Sequence, residues 1–449
     1  MRESGAAMAA DASNAAGVGS AGYGSCNLVM FLSACALIFE LTISGNTLMW
    51  LGIPYMTEGG EWIEKIHPGT YCSVLALMAR LLQGGNPLRN GRRILWKAPE
   101  LGLFLAAIFL CVAYAALATG PGGLITLIDT FLPAGMLAAA LVEASPSARG
   151  MLNRLLSTLF LLNAVVALIE SVAREHVIPI AGNVPELASE FRPTGLFDHP
   201  LTAAMSTMMG IFLHLGRRGF RGRVPIYEAV LILSLFAFGG RIAILLTIAG
   251  CAYLCLPGLW RATLRHDVAP RAWISVCLAA VGVATAAVGA GATGISDRLL
   301  AHLYWDPSAQ ARIYQFDVLN HMDGLQLVFG ARRMDLLALI EPLRLQYGAD
   351  VIENFWLLMF CTLGALCFPV FVIGLLSLVR FMLRSANAYT RVMILSVMLA
   401  ASCSNSLGRK STLLVTLVGC VAASDQAGRG RYSGRYRFSR QIAGYGAIA

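Results

Sequence analysis

Two long apolar stretches decide the fold. Residues 101–118 read LGLFLAAIFLCVAYAALA, and residues 355–379 read FWLLMFCTLGALCFPVFVIGLLSLV. Neither stretch contains a charged side chain, and each is long enough to cross the hydrocarbon core of a bilayer as a helix, which takes about 20 residues. The apolar residues are continuous rather than alternating with polar ones. The stretches therefore predict membrane-spanning helices and not the strands of a closed barrel.

The composition extends this pattern to the whole chain. Of the 449 residues, 57% are hydrophobic and 13% are charged, and the mean hydropathy is +0.67. Soluble domains carry about 25% charged residues, so a soluble fold is excluded. We predict an all-α, polytopic transmembrane bundle with about twelve spans. The spans are placed near residues 27–51, 70–84, 100–118, 123–143, 155–172, 201–215, 225–238, 242–258, 273–290, 355–379, 392–404 and 411–424.

Basic residues between the apolar stretches indicate the topology. Lys and Arg cluster in short connections at residues 89–97, 149–154, 217–223, 261–271 and 380–391. The positive-inside rule places such clusters in the cytoplasm, and one path with both termini inside places all of them there. The predicted domains are a disordered cytoplasmic tail at 1–25, a membrane domain at 26–424 and a basic cytoplasmic tail at 425–449. Residues 173–200 and the large segment 291–354 then form periplasmic loops.

The net charge of +9 does not predict a nucleic-acid partner, because the cations lie where topology requires them. The bilayer is the expected partner instead. The eleven cysteines lie in or beside apolar stretches, so they predict no disulfide framework. The external histidines His199, His302 and His321 lack the spacing of metal ligands on a helix, and no metal site is predicted.

Arg241 is the first candidate for a functional residue. It follows Gly239 and Gly240 in a tight hairpin between two apolar stretches. An arginine close to lipid depth is costly and marks a functional site with an anionic partner. The alternative is an interfacial arginine whose charged head reaches to the water. A similar Gly-Arg pair, Gly408-Arg409, stands at a second hairpin.

Two more external arginines precede the large stretch 355–379. Arg192 lies in FRPTGLFDHP, residues 191–200, directly before a span, and Arg312 lies in the large loop. The alternative for the Arg192 segment is a turn that only starts the next helix. The alternative for Arg312 is an ordinary solvated loop residue. Planar guanidinium groups fit phosphate oxygens two at a time. Arg192, Arg241, Arg312 and Arg409 together predict a site for a phosphorylated lipid head group.

Glu353 is the candidate catalytic base. It opens the segment Glu353-Asn354-Phe355-Trp356-Leu357 at the mouth of a span, with Gly364 seven residues after the leucine. A carboxylate in this position often only favours the positive end of the helix dipole. The alternative is a base that removes a proton from a sugar hydroxyl.

These segments, in this order, resemble the O-antigen ligase and O-antigen polymerase superfamily, and within it the VpsF-like and xanthan-type exopolysaccharide polymerase branch. The family has an arginine followed by glycine before a span, matched by Arg192 and Gly195. It has an arginine in a tight outer hairpin, matched by Arg241, and another in the large loop, matched by Arg312. A His-Asn element with a later leucine and glycine corresponds to Glu353-Asn354, Leu357 and Gly364. Glutamate thus stands where the ligases carry histidine.

The resemblance implies a metal-independent, inverting glycosyltransferase without cofactors in the bacterial inner membrane, with its site facing the periplasm. The donor would be an oligosaccharide on undecaprenyl diphosphate, polymerised into exopolysaccharide, capsule or O-antigen. A chain-length regulator and an export complex would be further partners. Arg241 and Glu353 would be catalytic, and the arginines would bind the diphosphate. The alternatives are an O-antigen ligase that transfers glycan to a lipid A core, and a flippase or other transporter of lipid-linked oligosaccharide.

Overall fold

The structure is a computed structural model, and it describes residues 28–57, 61–118, 121–180, 191–218, 225–264, 313–347, 351–408 and 410–424. The described residues form helices and connecting turns, and none of them lies in a β-strand. The predicted all-α class is therefore confirmed for this part of the chain. Both predicted tails, the span near 273–290, Arg312 and Arg409 lie outside the described residues.

Most helices of the first half begin at a polar cap or at proline. They are α1 (Leu28–Thr42), α2 (Gly45–Trp50), α3 (Pro68–Leu82), α4 (Pro87–Lys97), α5 (Pro99–Ala118), α6 (Pro121–Thr126), α7 (Leu132–Leu141) and α8 (Pro146–Ala173), with a π-helical turn at Leu127–Phe131 between α6 and α7. Proline suits the first helical turn because the amide hydrogen it lacks has no partner there. The Asn86 and Ser145 side chains accept hydrogen bonds from Arg89 N and Ala148 N, which caps α4 and α8.

The second half contains both long and short helices. They are α9 (Pro200–Arg218), α10 (Pro225–Phe238), α11 (Arg241–Leu264), α12 (Val318–His321), α13 (Gly324–Phe329), α14 (Arg333–Tyr347), α15 (Phe355–Ser385), α16 (Ala388–Ser402) and α17 (Leu413–Ala423). Helices α12 to α14 belong to the predicted large loop.

Within the described residues, four helices are long and apolar enough to cross a membrane: Pro99–Ala118, Leu124–Leu141, Pro146–Ala173 and Phe355–Ser385. The helix Leu124–Leu141 combines the end of α6, the π turn and α7. Six shorter apolar helices of 10–17 residues accompany them, including α1, α3 and α17. The membrane assignment is thus supported by length and composition, while the number of about twelve crossings stays a prediction.

The apolar stretches 101–118 and 355–379 lie in α5 and α15, and these two helices pack against each other. The Gly374 backbone leaves no room for a side chain beside Ala107, so the two helices approach closely. Phe131, Phe355 and Phe371 form an aromatic group beside this contact, with 5.0 Å between the ring centroids of Phe131 and Phe371. Small residues and interlocking rings provide the dispersion contacts that hold helices together in an apolar solvent.

One end of the bundle collects the described members of several basic clusters. Glu143 forms ion pairs with Arg80, Arg93 and Lys97. At the same end Glu100 pairs with Arg384 at 3.1 Å and lies 3.8 Å from Arg380. Arg149 lies beside these residues, and Arg217 contacts Asn153 one turn further along α8. We call this end the basic end.

At the opposite end of the bundle, α13 and α15 meet through a contact between their backbones. Gly364 interrupts α15 with φ +65°, so helical hydrogen bonding is broken there. The freed carbonyl of Cys361 accepts a hydrogen bond of 2.7 Å from Ala331 N, directly after Gly330. A Cβ at Gly330 would overlap the carbonyl of Thr362, and Gly330 itself has φ +85°. Both glycines are therefore required for the two backbones to meet.

We expect Gly330→Ala to destabilise the protein by more than about 2 kcal/mol, because the substitution combines a strained φ with overlap of backbone atoms. Gly324→Ala, at the other end of α13, is the matched control, since its Cβ would meet no atom within 4 Å. The midpoint of thermal unfolding in detergent measures both. Equal midpoints for the two variants would contradict the contact.

Candidate functional site

A buried carboxylate holds the loop that carries Arg192. Glu170, in the last turn of α8, is fully buried. Its Oε2 accepts hydrogen bonds from Thr194 N at 2.9 Å and Gly195 N at 2.7 Å, and its Oε1 accepts one from Val177 N at 2.8 Å. Three backbone donors satisfy a charge that would otherwise be costly to bury. The loop therefore folds onto the end of α8.

Gly195 has a steric reason to be glycine. Its φ is +60°, and a Cβ there would overlap Oδ1 of the Asn163 side chain. The same Oδ1 accepts a hydrogen bond of 2.9 Å from Leu196 N. The glycine that follows Arg192 in the motif is therefore required where the loop crosses α8.

Arg192 contacts the hairpin that carries Arg241. Its Nε and Nη2 donate hydrogen bonds of 3.1 and 2.9 Å to the carbonyl of Phe238, the last residue of α10. Gly239 follows with φ +65°, and Gly240 packs without space for a Cβ against Ala204 of α9. Arg241 then begins α11. The two-pronged guanidinium is directed at a helix end, so Arg192 positions the turn that presents Arg241.

Asn354 and Glu353 take different positions at the start of α15. The Asn354 side chain accepts a hydrogen bond of 3.0 Å from Leu357 N and caps the helix. The backbone N–H groups of Glu353 and Asn354 both donate to Oε1 of the buried Gln315, at 2.8 and 2.9 Å. Gln315 thereby fixes the backbone beside Glu353, whose side chain is half-buried.

The described part of the second hairpin, residues 403–408 and 410–412, lies beside the Glu353 segment. Phe355 N donates to Ser404 O at 3.3 Å, and Asn405 Nδ2 donates to Ile352 O at 3.3 Å. Lys410, next to the predicted Arg409, donates to the carbonyls of Tyr55 and Lys65 at 2.7 and 2.8 Å. The hairpin therefore connects the Glu353 segment to the loop between α2 and α3.

A buried polar cluster that the sequence analysis missed lies next to this loop. Asp129, in the π-helical turn, accepts hydrogen bonds from Tyr55 Oη, from His67 N at 2.9 Å and from Thr70 Oγ1 at 2.6 Å. Single π turns within helices are frequent at functional sites because they redirect side chains. Here the turn directs a carboxylate into the protein interior, where Asp129 is 2% exposed.

His67 and Asp198 extend the polar cluster. His67 Nε2 donates to Ile43 O at 2.6 Å, while Nδ1 accepts from Gly69 N and lies 3.6 Å from Oε1 of Glu40. Asp198, from the Arg192 loop, accepts a hydrogen bond of 2.8 Å from Asn46 N at the start of α2. We call Glu40, Tyr55, His67, Asp129 and Asp198 the polar cluster.

Two members of the polar cluster, Asp198 and Tyr55, lie outside the helices, and burial raises the pKa of both. Burial raises the pKa of the Asp198 carboxyl, and the N–H of Asn46 opposes this increase. Burial together with the Asp129 carboxylate raises the pKa of the Tyr55 phenol well above its usual value. The Tyr55 hydroxyl therefore stays protonated at neutral pH and serves as a donor to Asp129.

The predicted site residues that the structure describes thus belong to one end of the bundle. Arg192 lies beside the Arg241 hairpin, its loop reaches the polar cluster through Asp198, and Lys410 links the cluster to the segment of Glu353. Within the described residues, no three His, Cys, Asp or Glu side chains are placed to hold a metal ion. Comparisons of the chain with protein-family models, curated proteins and solved structures give no match.

The sequence contained one signal for the missed cluster. Asp129 is the single charged residue in the apolar stretch 123–142, and Glu40 is likewise isolated in the stretch 28–42. Ionisable residues within membrane-spanning stretches are expensive and mark functional or structural partners. Their partners in loops and in other helices could not be inferred from sequence spacing.

We expect Glu170→Gln to detach the Arg192 loop, because the amide NH₂ of glutamine would face a backbone N–H donor. An unsatisfied buried donor costs about 1–3 kcal/mol, so the thermal midpoint should fall by several degrees. Protease cleavage within residues 174–197 should increase in parallel. Glu175→Gln, five residues away and exposed, is the control and should change neither measurement. An unchanged Glu170→Gln protein would remove the carboxylate from the account of this loop.

Proposed function

We propose that this chain is an integral membrane glycosyltransferase that polymerises oligosaccharide repeat units carried on undecaprenyl diphosphate. The observation that supports the proposal most is the position of four polar segments at one end of an apolar helix bundle. These are the Arg192 loop, the Arg241 hairpin, the Glu353 segment and the described part of the second hairpin. They combine fixed cations with carboxylates, as transfer from a diphosphate leaving group requires.

The proposal includes the topology. The chain would cross a bacterial inner membrane twelve times, with both termini in the cytoplasm. The end of the bundle that carries these four segments, which we call the polar end, would then lie in the periplasm. The basic end, with Arg80, Arg93, Lys97 and Arg384, would face the cytoplasm, where the positive-inside rule favours it. The repeat units would reach the site from the outer leaflet while still attached to their lipid carrier.

Arg241 is the proposed anion-binding group. It opens α11 directly after two glycines, so its positive charge is added to the positive end of a helix dipole. Arg192 holds the Phe238 carbonyl and keeps this turn in place, which prepares the charge before substrate arrives. Arg312 is assigned to the same diphosphate by the family resemblance, and Arg409 because its Gly-Arg pair stands at a hairpin similar to that of Arg241.

Glu353 is the proposed general base. The acceptor hydroxyl oxygen attacks the anomeric carbon, the bond from that carbon to the diphosphate oxygen breaks, and the configuration inverts. Glu353 takes the hydroxyl proton, and the diphosphate leaves with the electron pair of the broken bond while the arginines compensate its charge. Gln315 supports this role because it fixes the backbone of Glu353 and Asn354 through two hydrogen bonds.

Two other functions from the sequence analysis use similar machinery or architecture. A ligase would transfer the glycan to a lipid A core, and the glutamate at position 353 in place of histidine favours the polymerase. A transporter of lipid-linked oligosaccharide would need charges along a path through the bundle. The proposed site instead has its charges at one end, which favours chemistry at that face.

Arg241→Lys is expected to reduce polymer production at least tenfold at a normal protein level. Lysine keeps the charge but loses the planar pair of donors that fits a diphosphate. Arg217→Lys makes the same chemical change at the basic end, where Arg217 Nη1 lies 3.4 Å from Asn153 Oδ1, and should be nearly silent. Polymer length and amount, compared at matched expression, measure the effect. Normal polymer from both lysine variants would make Arg241 only an interfacial anchor.

Glu353→Gln is expected to lower polymerisation by roughly 10²–10⁴-fold, because the amide keeps the size of the side chain but accepts no proton. Lipid-linked single repeat units should accumulate, since donor binding is assigned to the arginines. Glu341→Gln, on the exposed side of α14, is the control for loss of a carboxylate in the same loop. Wild-type polymer from Glu353→Gln would exclude Glu353 as the base.

A further inference from the structure

A cavity of about 790 Å³ opens at the basic end of the bundle, opposite the proposed active site. Among its lining residues are five cationic side chains and one carboxylate: Arg80, Arg93, Lys97, Arg149, Arg384 and Glu143. They come from α3, α4, α8, α15 and the turn after α7. Residues far apart in the chain therefore bring an excess of positive charge to one concave surface.

The helix α4 presents one face to this cavity. Asn90, Arg93, Ile94 and Lys97 all line it, and their spacing of three, four and seven residues places them on one side of a helix. Leu88 and Trp96 point elsewhere and are 84% and 76% exposed. A short helix with exposed leucine and tryptophan beside basic residues is typical of one that lies in the membrane interface.

Among the described residues, the cations around the cavity outnumber the carboxylates that pair with them. Arg80, Arg93 and Lys97 share the single carboxylate of Glu143. Burial raises the pKa of Glu143, but these three cations lower it below its usual value, so Glu143 stays ionised. Arg149 lines the cavity from α8, where its Nε donates to Ala144 O at 3.1 Å. The excess charge makes the cavity attractive to an anion.

The remaining wall of the cavity is apolar. Leu141, Phe381, Val418 and Val421 line it from α7, α15 and α17. A soluble anion would gain nothing from this wall, whereas an amphiphile can place its charged group among the cations and its hydrocarbon against the apolar side chains. Basic pockets between transmembrane helices on the cytoplasmic side are a recognised way to bind phosphorylated lipid head groups.

We propose that this cavity binds the phosphate head group of an anionic lipid from the membrane leaflet at the basic end. The guanidinium groups of Arg80, Arg93 and Arg149 supply paired donors that match phosphate oxygens, and Lys97 adds a point charge. The proposal is independent of the polymerase assignment, because it concerns the opposite end of the bundle and none of the proposed catalytic residues.

The test measures the apparent Kd of the full-length protein in detergent by native mass spectrometry. Short-chain phosphatidic acid is the probe, short-chain phosphatidylcholine is the zwitterionic comparison, and inorganic phosphate is added separately as a competitor. We expect Arg93→Gln to weaken phosphatidic acid binding about fivefold, as one lost cation implies. Arg149→Gln, which leaves the Glu143 ion pairs intact, should weaken it similarly.

Arg92→Gln is the matched control, because Arg92 neighbours Arg93 on α4 but lies over the Trp96 ring, 5.9 Å from its centroid. Its binding of phosphatidic acid should change less than about twofold. Equal affinity for phosphatidylcholine, or equal losses in Arg92→Gln and Arg93→Gln, would overturn the proposal. Displacement of the lipid by an equimolar amount of inorganic phosphate would assign the cavity to a soluble phosphate compound and overturn the lipid source. Failure of such displacement supports it.

Discussion

A carboxylate buried among apolar helices is tolerated only where hydrogen-bond donors surround it, and in this chain the donors come largely from loops. Glu170 takes three backbone N–H groups from residues 177, 194 and 195, and Asp129 takes one backbone N–H and two hydroxyls. Because each carboxylate needs these hydrogen bonds, the loops that donate them are held in one conformation. The loops at the polar end of the bundle are held in place because they donate hydrogen bonds to carboxylates on the helices that they cover.

The same kind of positioning extends to the proposed catalytic residues. The Glu170 carboxylate holds the Arg192 loop, Arg192 holds the last carbonyl of α10, and that helix end carries the glycine turn before Arg241. Gln315 performs a similar role for the backbone of Glu353. Charges fixed before substrate binds need no reorganisation during the reaction, which is the physical basis of electrostatic catalysis. The proposed mechanism therefore depends on positioning residues as much as on the groups that touch substrate.

Local sequence patterns predicted what depends on short distances along the chain. The helices α5 and α15 follow from continuous apolar runs. Gly195 and Asn354 were noted as motif residues, and the structure supplies their reasons, a crowded loop crossing and a helix cap. The Arg192–Phe238 contact, the polar cluster around Asp129 and the Gly330–Gly364 contact could not be predicted, because each joins segments that are far apart in the sequence. Arg192 was predicted to bind substrate, which stays a prediction; the structure adds that its Nε and Nη2 donate hydrogen bonds to the carbonyl of Phe238.

The most direct measurement of the central claim uses the purified protein in sealed liposomes. Undecaprenyl-diphosphate-linked repeat units are added from outside, and the lipid-linked products are separated by size at successive times. A polymerase with its site at the polar end converts them into a ladder of longer lipid-linked glycans and releases undecaprenyl diphosphate. Repeat units that cross the bilayer unchanged would contradict the account, as would glycan that is transferred only when a lipid A core is supplied.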